Sequence, residues 1–232
     1  MQLIEVSLTG VRSAAITLRS PSAAMRIVLL PMVHLGTPDY YQAVTALLAD
    51  CDLIIAEGIS GKSATVRALT LAYRLPARRR DLGLTVQDID YAALGRPVVC
   101  PDMTARQFAD NWRSVPLLQR LAILCAVPPV ALSFALTGTR RTFTRYLATD
   151  DLPGFTDARL RQALPQFTKV VLDDRDRLLV DCLESVLRSR REEDIAVAVA
   201  YGAEHMPAVT HELFERHGYR PRAAEWLTVL DF

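Results

Sequence analysis

The chain is poor in cysteine. Its 232 residues hold four, Cys51, Cys100, Cys125 and Cys182, and no two form a CxxC pair. That argues against a disulfide frame or a cysteine-based zinc site, and the four read as reduced core residues. The chain also lacks a dominant charge: 27 Lys and Arg against 26 Asp and Glu leave a formal net charge of +1. No overall field recruits nucleic acid or acidic membranes. The short basic runs Arg78-Arg79-Arg80 and Arg188-Ser189-Arg190-Arg191 read as solvated helix ends, where cations are favoured. The opening MQLIEVSLTG has an early glutamate and no basic-then-apolar leader pattern, which points to the cytoplasm. There is no G-x-S-x-G nucleophile elbow. Gly61-Lys62-Ser63 resembles the end of a phosphate loop, but Ala56 stands where that motif needs its first glycine.

Apolar residues are plentiful. Hydrophobic residues make up 50% and charged residues 23%, the composition of a globular core. Residues 2 to 8 and 13 to 19, around Thr9-Gly10, predict an N-terminal hairpin. RIVLLPMV, 26 to 33, is a continuous apolar run, the pattern of a strand buried on both faces. Pro31 suggests that this strand ends early or bulges. Thr37-Pro38 opens a helix to Asp50, with Thr37 as N-cap. Further strands are expected at 53 to 56, 96 to 100, 195 to 200 and 223 to 230. Helices are expected at 63 to 75 and 206 to 217, the latter closed by Gly218. From Thr104 to Arg190 the pattern is helical, with breaks at Pro116, Pro128-Pro129, Pro153-Gly154 and Pro165. The expected fold is α/β: one domain over 1 to 232, a central mostly parallel sheet from both chain ends, and a helical insertion or cap at about 104 to 190.

One segment stands apart. Leu121 to Gly138, LAILCAVPPVALSFALTG, is uncharged, and its length sits at the lower edge of a membrane span. Pro128-Pro129 favours a reading as two short buried helices meeting there. The alternatives are the lining of a hydrophobic pocket or contact with a membrane.

Open α/β sheets bind ligands at the carboxyl ends of their strands. There the sequence places His34 after the first parallel strand, Glu57 after the second, Asp102 after the third and His205 after the late one. Two imidazoles and one or two carboxylates suit a divalent metal or general acid–base work. Each also has a plainer reading, as a turn or helix-cap residue; Asp102 could cap the helix near Thr104. His205 begins a helix, whose positive end disfavours a protonated ring, and Gly202 gives the turn before it room. Glu204 reads more simply as a helix N-terminal charge, and His211 and His217 as surface or capping residues. Arg175 falls on the apolar stripe of the 168 to 190 helix, between Val171 and Leu179. A guanidinium there needs an anion. Asp174 or Asp176 would serve locally; otherwise Arg175 reaches the strand ends and pairs with Glu57 or a substrate carboxylate.

Gly202-Ala203-Glu204-His205, followed by HELFERHGYRP, resembles the late G-x-x-H motif of the TraB/PrgY/GumN family, which includes the animal Tiki proteases. Ile54-Ile55-Ala56-Glu57 resembles its early glutamate segment and Asp174-Arg175-Asp176-Arg177 its Arg-containing helix. The early motif, Pro31-Met32-Val33-His34, has proline where that family has glycine. The resemblance spans roughly 26 to 230, and only its ends are specific. It implies the architecture of erythromycin esterases and ChaN-like haem-binding proteins. It implies a peptidase-like hydrolase in which His34, Glu57 and His205, with Asp102 as a further ligand, hold manganese or cobalt, and Arg175 holds a carboxylate. The esterase relatives imply instead a metal-free hydrolase, with His34 or His205 as base. Regulatory relatives imply a non-catalytic protein that binds a peptide or small-molecule ligand. Whether the chain forms a homo-oligomer is left open.

Overall fold

The structure, a computed structural model, describes residues 1 to 144 and 161 to 232. A seven-stranded sheet carries the architecture. β1 (Ile4–Val6) and β2 (Gly10–Arg19) form the expected hairpin. β3 (Arg26–Met32) lies antiparallel to β2 and parallel to β8 (Ala196–Gly202). β5 (Leu53–Ala56) is parallel to β8 and to β7 (Val98–Val99). β9 (Arg220–Asp231) returns from the far end of the chain to pair with β2 along its whole length. A separate ribbon joins β4 (Leu35–Gly36) to β6 (Thr85–Val86). The expected α/β sheet built from both chain ends is present, with a parallel block β3-β8-β5-β7.

β8 explains how the sheet is sandwiched. All seven of its residues are buried. Side chains alternate across a strand, so its small and large residues separate onto opposite faces. Ala196, Ala198 and Ala200 face Tyr40, Tyr41, Val44 and Leu48 of α1 (Pro38–Ala49). Val197, Val199 and Tyr201 pack with Leu179, Leu183 and Leu187 of α8 (Asp174–Arg190) and with Met206 and Val209 of α9 (Met206–His211).

Pro31 neither ends nor bulges β3, which runs on beside β8 to Met32. The ladder to β2 stops at Leu29, because the β2 edge beyond Ile16 belongs to β1, through Val11 to Ser13. The missing N–H of proline therefore costs no ladder bond. Its carbonyl accepts from Ser13 Oγ at 2.7 Å and Tyr40 Oη at 3.3 Å.

The helices need four corrections. The 63 to 75 helix is two, α2 (Ala64–Leu69) and α3 (Leu71–Arg74), broken at Thr70. The cap of α4 (Ala105–Ser114) is Thr104, in a capping box with Gln107, and not Asp102. α5 (Leu117–Thr137) runs unbroken through Pro128-Pro129. It is also hardly buried: only Ala131 is enclosed. Cys100 and Cys125 are exposed and so are not core residues. After α6 (Arg140–Thr144) the expected break at Pro153-Gly154 lies outside the described residues. The expected break at Pro165 is present: residues 161 to 163 are helical, Leu164 is not, and Pro165 opens α7 (Pro165–Thr168), from which a π turn over Lys169–Asp173 leads into α8.

The two donors on the Pro31 carbonyl can be tested as a pair. Ser13→Ala and Tyr40→Phe should each cost about 1 kcal/mol. Together they leave a buried carbonyl bare and should cost more than the sum. Urea unfolding of the two single variants and the double variant measures this directly.

Candidate functional site

Each parallel strand delivers one polar side chain to the same edge of the sheet. His34 follows β3, Glu57 follows β5, Asp102 lies just beyond β7, and a 3-10 turn over Ala203–His205 follows β8. The strand order makes these ends neighbours.

Arg175, one residue into α8, reaches this edge. Its Nε donates to Asp102 Oδ1 at 2.9 Å and its Nη2 to Asp102 Oδ2 at 2.6 Å, a bidentate pair. Nη2 also donates to Glu57 Oε1 at 2.5 Å. Nη1 lies 3.3 Å from His205 Nε2. The guanidinium sits over the Tyr201 ring, 5.7 Å from its centre. Burial opposes the Arg175 charge, but Asp102 and Glu57 more than offset this and raise its pKa. Of the two expected local partners, Asp174 instead meets Asn111 and Lys169, and Asp176 meets His205.

Glu57 is held on its other side by the backbone. Gly202 N–H donates to Glu57 Oε2 at 2.7 Å. A Cβ at residue 202 would stand 3.0 Å from that oxygen and 3.4 Å from His205 Cδ2, so a side chain there would press on Glu57 by a few tenths of an ångström. Burial alone would raise the Glu57 pKa; the positive charge beside it, Arg175 foremost, lowers it to about 2.

His205 is 3% exposed. Its Nδ1 lies 2.6 Å from Asp176 Oδ1. Arginine only donates, so Nε2 accepts from Arg175 and Nδ1 carries the proton that Asp176 receives. The ring is thus held in one orientation, clamped between a carboxylate and a guanidinium. Tyr201 packs edge-on against it at 5.0 Å.

His34 occupies another wall. It is exposed, stacks on Tyr73 at 5.2 Å, and places Nδ1 3.3 Å from Gln87 Oε1. It lines a cavity of about 390 Å³ together with Glu57, Arg175 and His205. The remaining walls are mostly apolar, including Met32, Tyr73, Leu172, and Val130 and Phe134 from α5. Glu204 lines the same cavity.

These donors do not fit a metal as they are arranged. Both oxygens of Asp102 are taken by Arg175, with the Gly58 and Met103 N–H groups completing their shell. Both Glu57 oxygens and both His205 nitrogens also have partners. A fixed positive charge already stands among them, and a divalent cation would have to displace it. Among the described residues, the three-residue group with ligand atoms within 4.8 Å is elsewhere: Glu184, Glu212 and His217. There Arg216 already approaches both carboxylates, at 3.3 and 3.5 Å.

Sequence reasoning missed Asp176 as the partner of His205, and Gln87 and Tyr73 as the setting of His34. Asp176 lies next to Arg175 in DRDR, and a helix turns about 100° per residue. The chain matches no family model, no curated protein and no solved structure.

Two measurements probe this geometry. Gly202→Ala should displace Glu57 or lose its backbone hydrogen bond, lowering the thermal midpoint by several degrees. Because the Glu57 pKa lies below its ordinary value of 4.5, its stabilisation is complete above that pH and is lost as pH falls toward 2. The contribution is on the order of 3 kcal/mol. The urea midpoint of the wild-type chain should therefore fall between pH 4.5 and 2 more steeply than that of Glu57→Gln.

Proposed function

We propose that this cavity is the site of a metal-independent, esterase-like hydrolase in which His205 is the general base. The carrying observation is the Asp176–His205–Arg175 chain, which opens on the cavity. Asp176 holds Nδ1–H; the Nε2 lone pair, which accepts from Arg175 Nη1 at 3.3 Å in the resting site, becomes the basic atom once Nη1 turns to the substrate carbonyl. A water between Nε2 and a substrate carbonyl gives up its proton to Nε2 as its oxygen attacks the carbon. Arg175 Nη1, beside Nε2, stabilises the oxyanion that develops. As the tetrahedral intermediate collapses, the protonated ring returns the proton to the leaving alkoxide. The products are an acid and an alcohol. Glu57 and Asp102 hold Arg175 in position and touch no reacting atom. His34, on the outer wall, contacts the leaving group.

The arginine also bears on the substrate. Two of its three nitrogens are saturated by protein carboxylates, so it is poorly placed to clamp a substrate carboxylate. An uncharged carbonyl with an apolar flank suits the walls better. The manganese- or cobalt-dependent peptidase reading suggested by the TraB/PrgY/GumN resemblance is less favoured, because its expected ligands are engaged with Arg175.

The test is turnover of p-nitrophenyl acyl esters by protein treated exhaustively with a chelator. Activity should persist. It should fall by about 10²–10⁴-fold in His205→Ala, the usual worth of a general base. Asp176→Asn, which disturbs the tautomer, should lower kcat more than KM. Activity lost on chelation and restored by manganese would revive the metal reading. Ligand binding with no turnover on any ester or peptide would make the chain a binding protein.

A further inference from the structure

α5 is an anomaly for a surface helix. It is 21 residues long and apolar enough to cross a membrane, yet little of it is buried. Its inner stripe, with Ile123, Leu124, Ala131 and Phe134, packs on the domain. Outside that stripe stand Leu117, Leu118, Leu121, Leu132 and Leu136, with Leu118 81% and Leu136 70% exposed. From 121 to 138 there is no charged residue on any face. A helix apolar all round belongs in a protein core or in lipid. This one is not in a core.

Its surroundings are specific. α5 packs along α3 and the 3-10 turn Pro76–Arg78. That places the Arg78-Arg79-Arg80 run beside its carboxyl end, where Arg79 Nη1 donates to Gly138 O at 2.7 Å. Arg74, Arg78, Arg80 and Arg141 are exposed in these flanking segments. The near-zero net charge of the whole chain conceals this local excess. The inner face of α5 supplies Val130 and Phe134 to the cavity that holds His205.

We propose that α5 lies in the plane of an anionic bilayer surface, with its outer face among the acyl chains and the flanking arginines against lipid headgroups. The cavity beneath it then receives carboxylic esters of membrane-borne amphiphiles. The substrate part of this inference rests on the hydrolytic reading; the membrane contact does not. In-plane seating follows from the packing: to span the bilayer, α5 would have to leave α3 and the cavity it walls. Charge complementarity selects lipid over a protein partner, because the apolar surface wraps around the helix beyond a single stripe and is flanked by an excess of cations, with Arg74, Arg78 and Arg80 exposed and Asp81 already paired with Arg79. Two of the three Arg175 nitrogens are taken by protein carboxylates, which agrees with an uncharged ester at the reacting end.

The experiment is flotation of the full chain with vesicles of phosphatidylcholine alone and of phosphatidylcholine with phosphatidylglycerol. The wild-type protein should float with the anionic vesicles more than about tenfold better than with neutral ones, and salt should reduce the difference. A variant with Leu118→Glu, Leu132→Glu and Leu136→Glu changes outer-face residues that line no part of the cavity. It should keep its circular dichroism spectrum and its turnover of a short, water-soluble acetate ester. It should lose flotation and lose turnover of a long-chain ester carried in vesicles. Failure of the wild-type protein to float, or equal flotation of the variant, overturns the membrane contact. So does a wild-type dimer that the variant converts to monomer, since the apolar face then binds a second copy. If flotation behaves as expected but no ester of any length is hydrolysed, the hydrolytic reading fails and the membrane contact stands.

Discussion

The guanidinium of Arg175 is the interaction on which the site depends. It is the one cation among Glu57, Asp102 and the His205 ring, and it joins three strand ends to a helix from the opposite layer. Removing it would leave two buried carboxylates facing each other without compensation, a far larger cost than the loss of one surface ion pair. Much of the local architecture serves to place it. The π turn before α8 sets where the helix begins. Leu179, four residues later on the same face, fixes the helix against the sheet. Tyr201, the last large side chain of β8, lies under the guanidinium.

The backbone does a second part of the work. Carboxylates satisfied by arginine alone would still be free to swing. Gly202 N–H on Glu57, and Gly58 and Met103 N–H on Asp102, lock them. The strand ends therefore contribute main-chain donors as well as side chains. This is why the glycine that ends β8 matters: it brings a peptide N–H to a place where a side chain would crowd the carboxylate.

Most of the sheet was legible in the sequence, because period and punctuation are local properties. The apolar runs at 26 to 33, 53 to 56 and 195 to 200 became the parallel block, and Thr37 capped its helix as expected. The strand-end position of His34, Glu57, Asp102 and His205 was equally legible, given that neighbouring parallel strands end together. Arg175 announced itself as a charge on an apolar stripe. What could not be read was pairwise. Asp176 was visible as a carboxylate, but which neighbour it serves depends on the angle at which α8 meets β8. Pro31 looked like a strand end because the division of one β2 edge between β1 and β3 is a matter of register across the sheet. The double proline looked like a break because propensity penalises it in water. The structure keeps one helix through Pro128-Pro129, and much of that helix lies exposed.

The pairing of β9 with β2 bears on how this chain reaches its fold. Gly10 lies opposite Asp231, so this ladder joins segments from the two far ends of the sequence. Closing a loop of roughly two hundred residues costs entropy before the hydrogen bonds return it, which makes such contacts slow to form. Until the ladder forms, one edge of β2 is a bare template and the leucines of α5 are already in solvent. The folding chain therefore passes through a period in which two sticky surfaces are uncovered together, and its yield of native protein should depend on concentration and temperature more than its final stability would suggest.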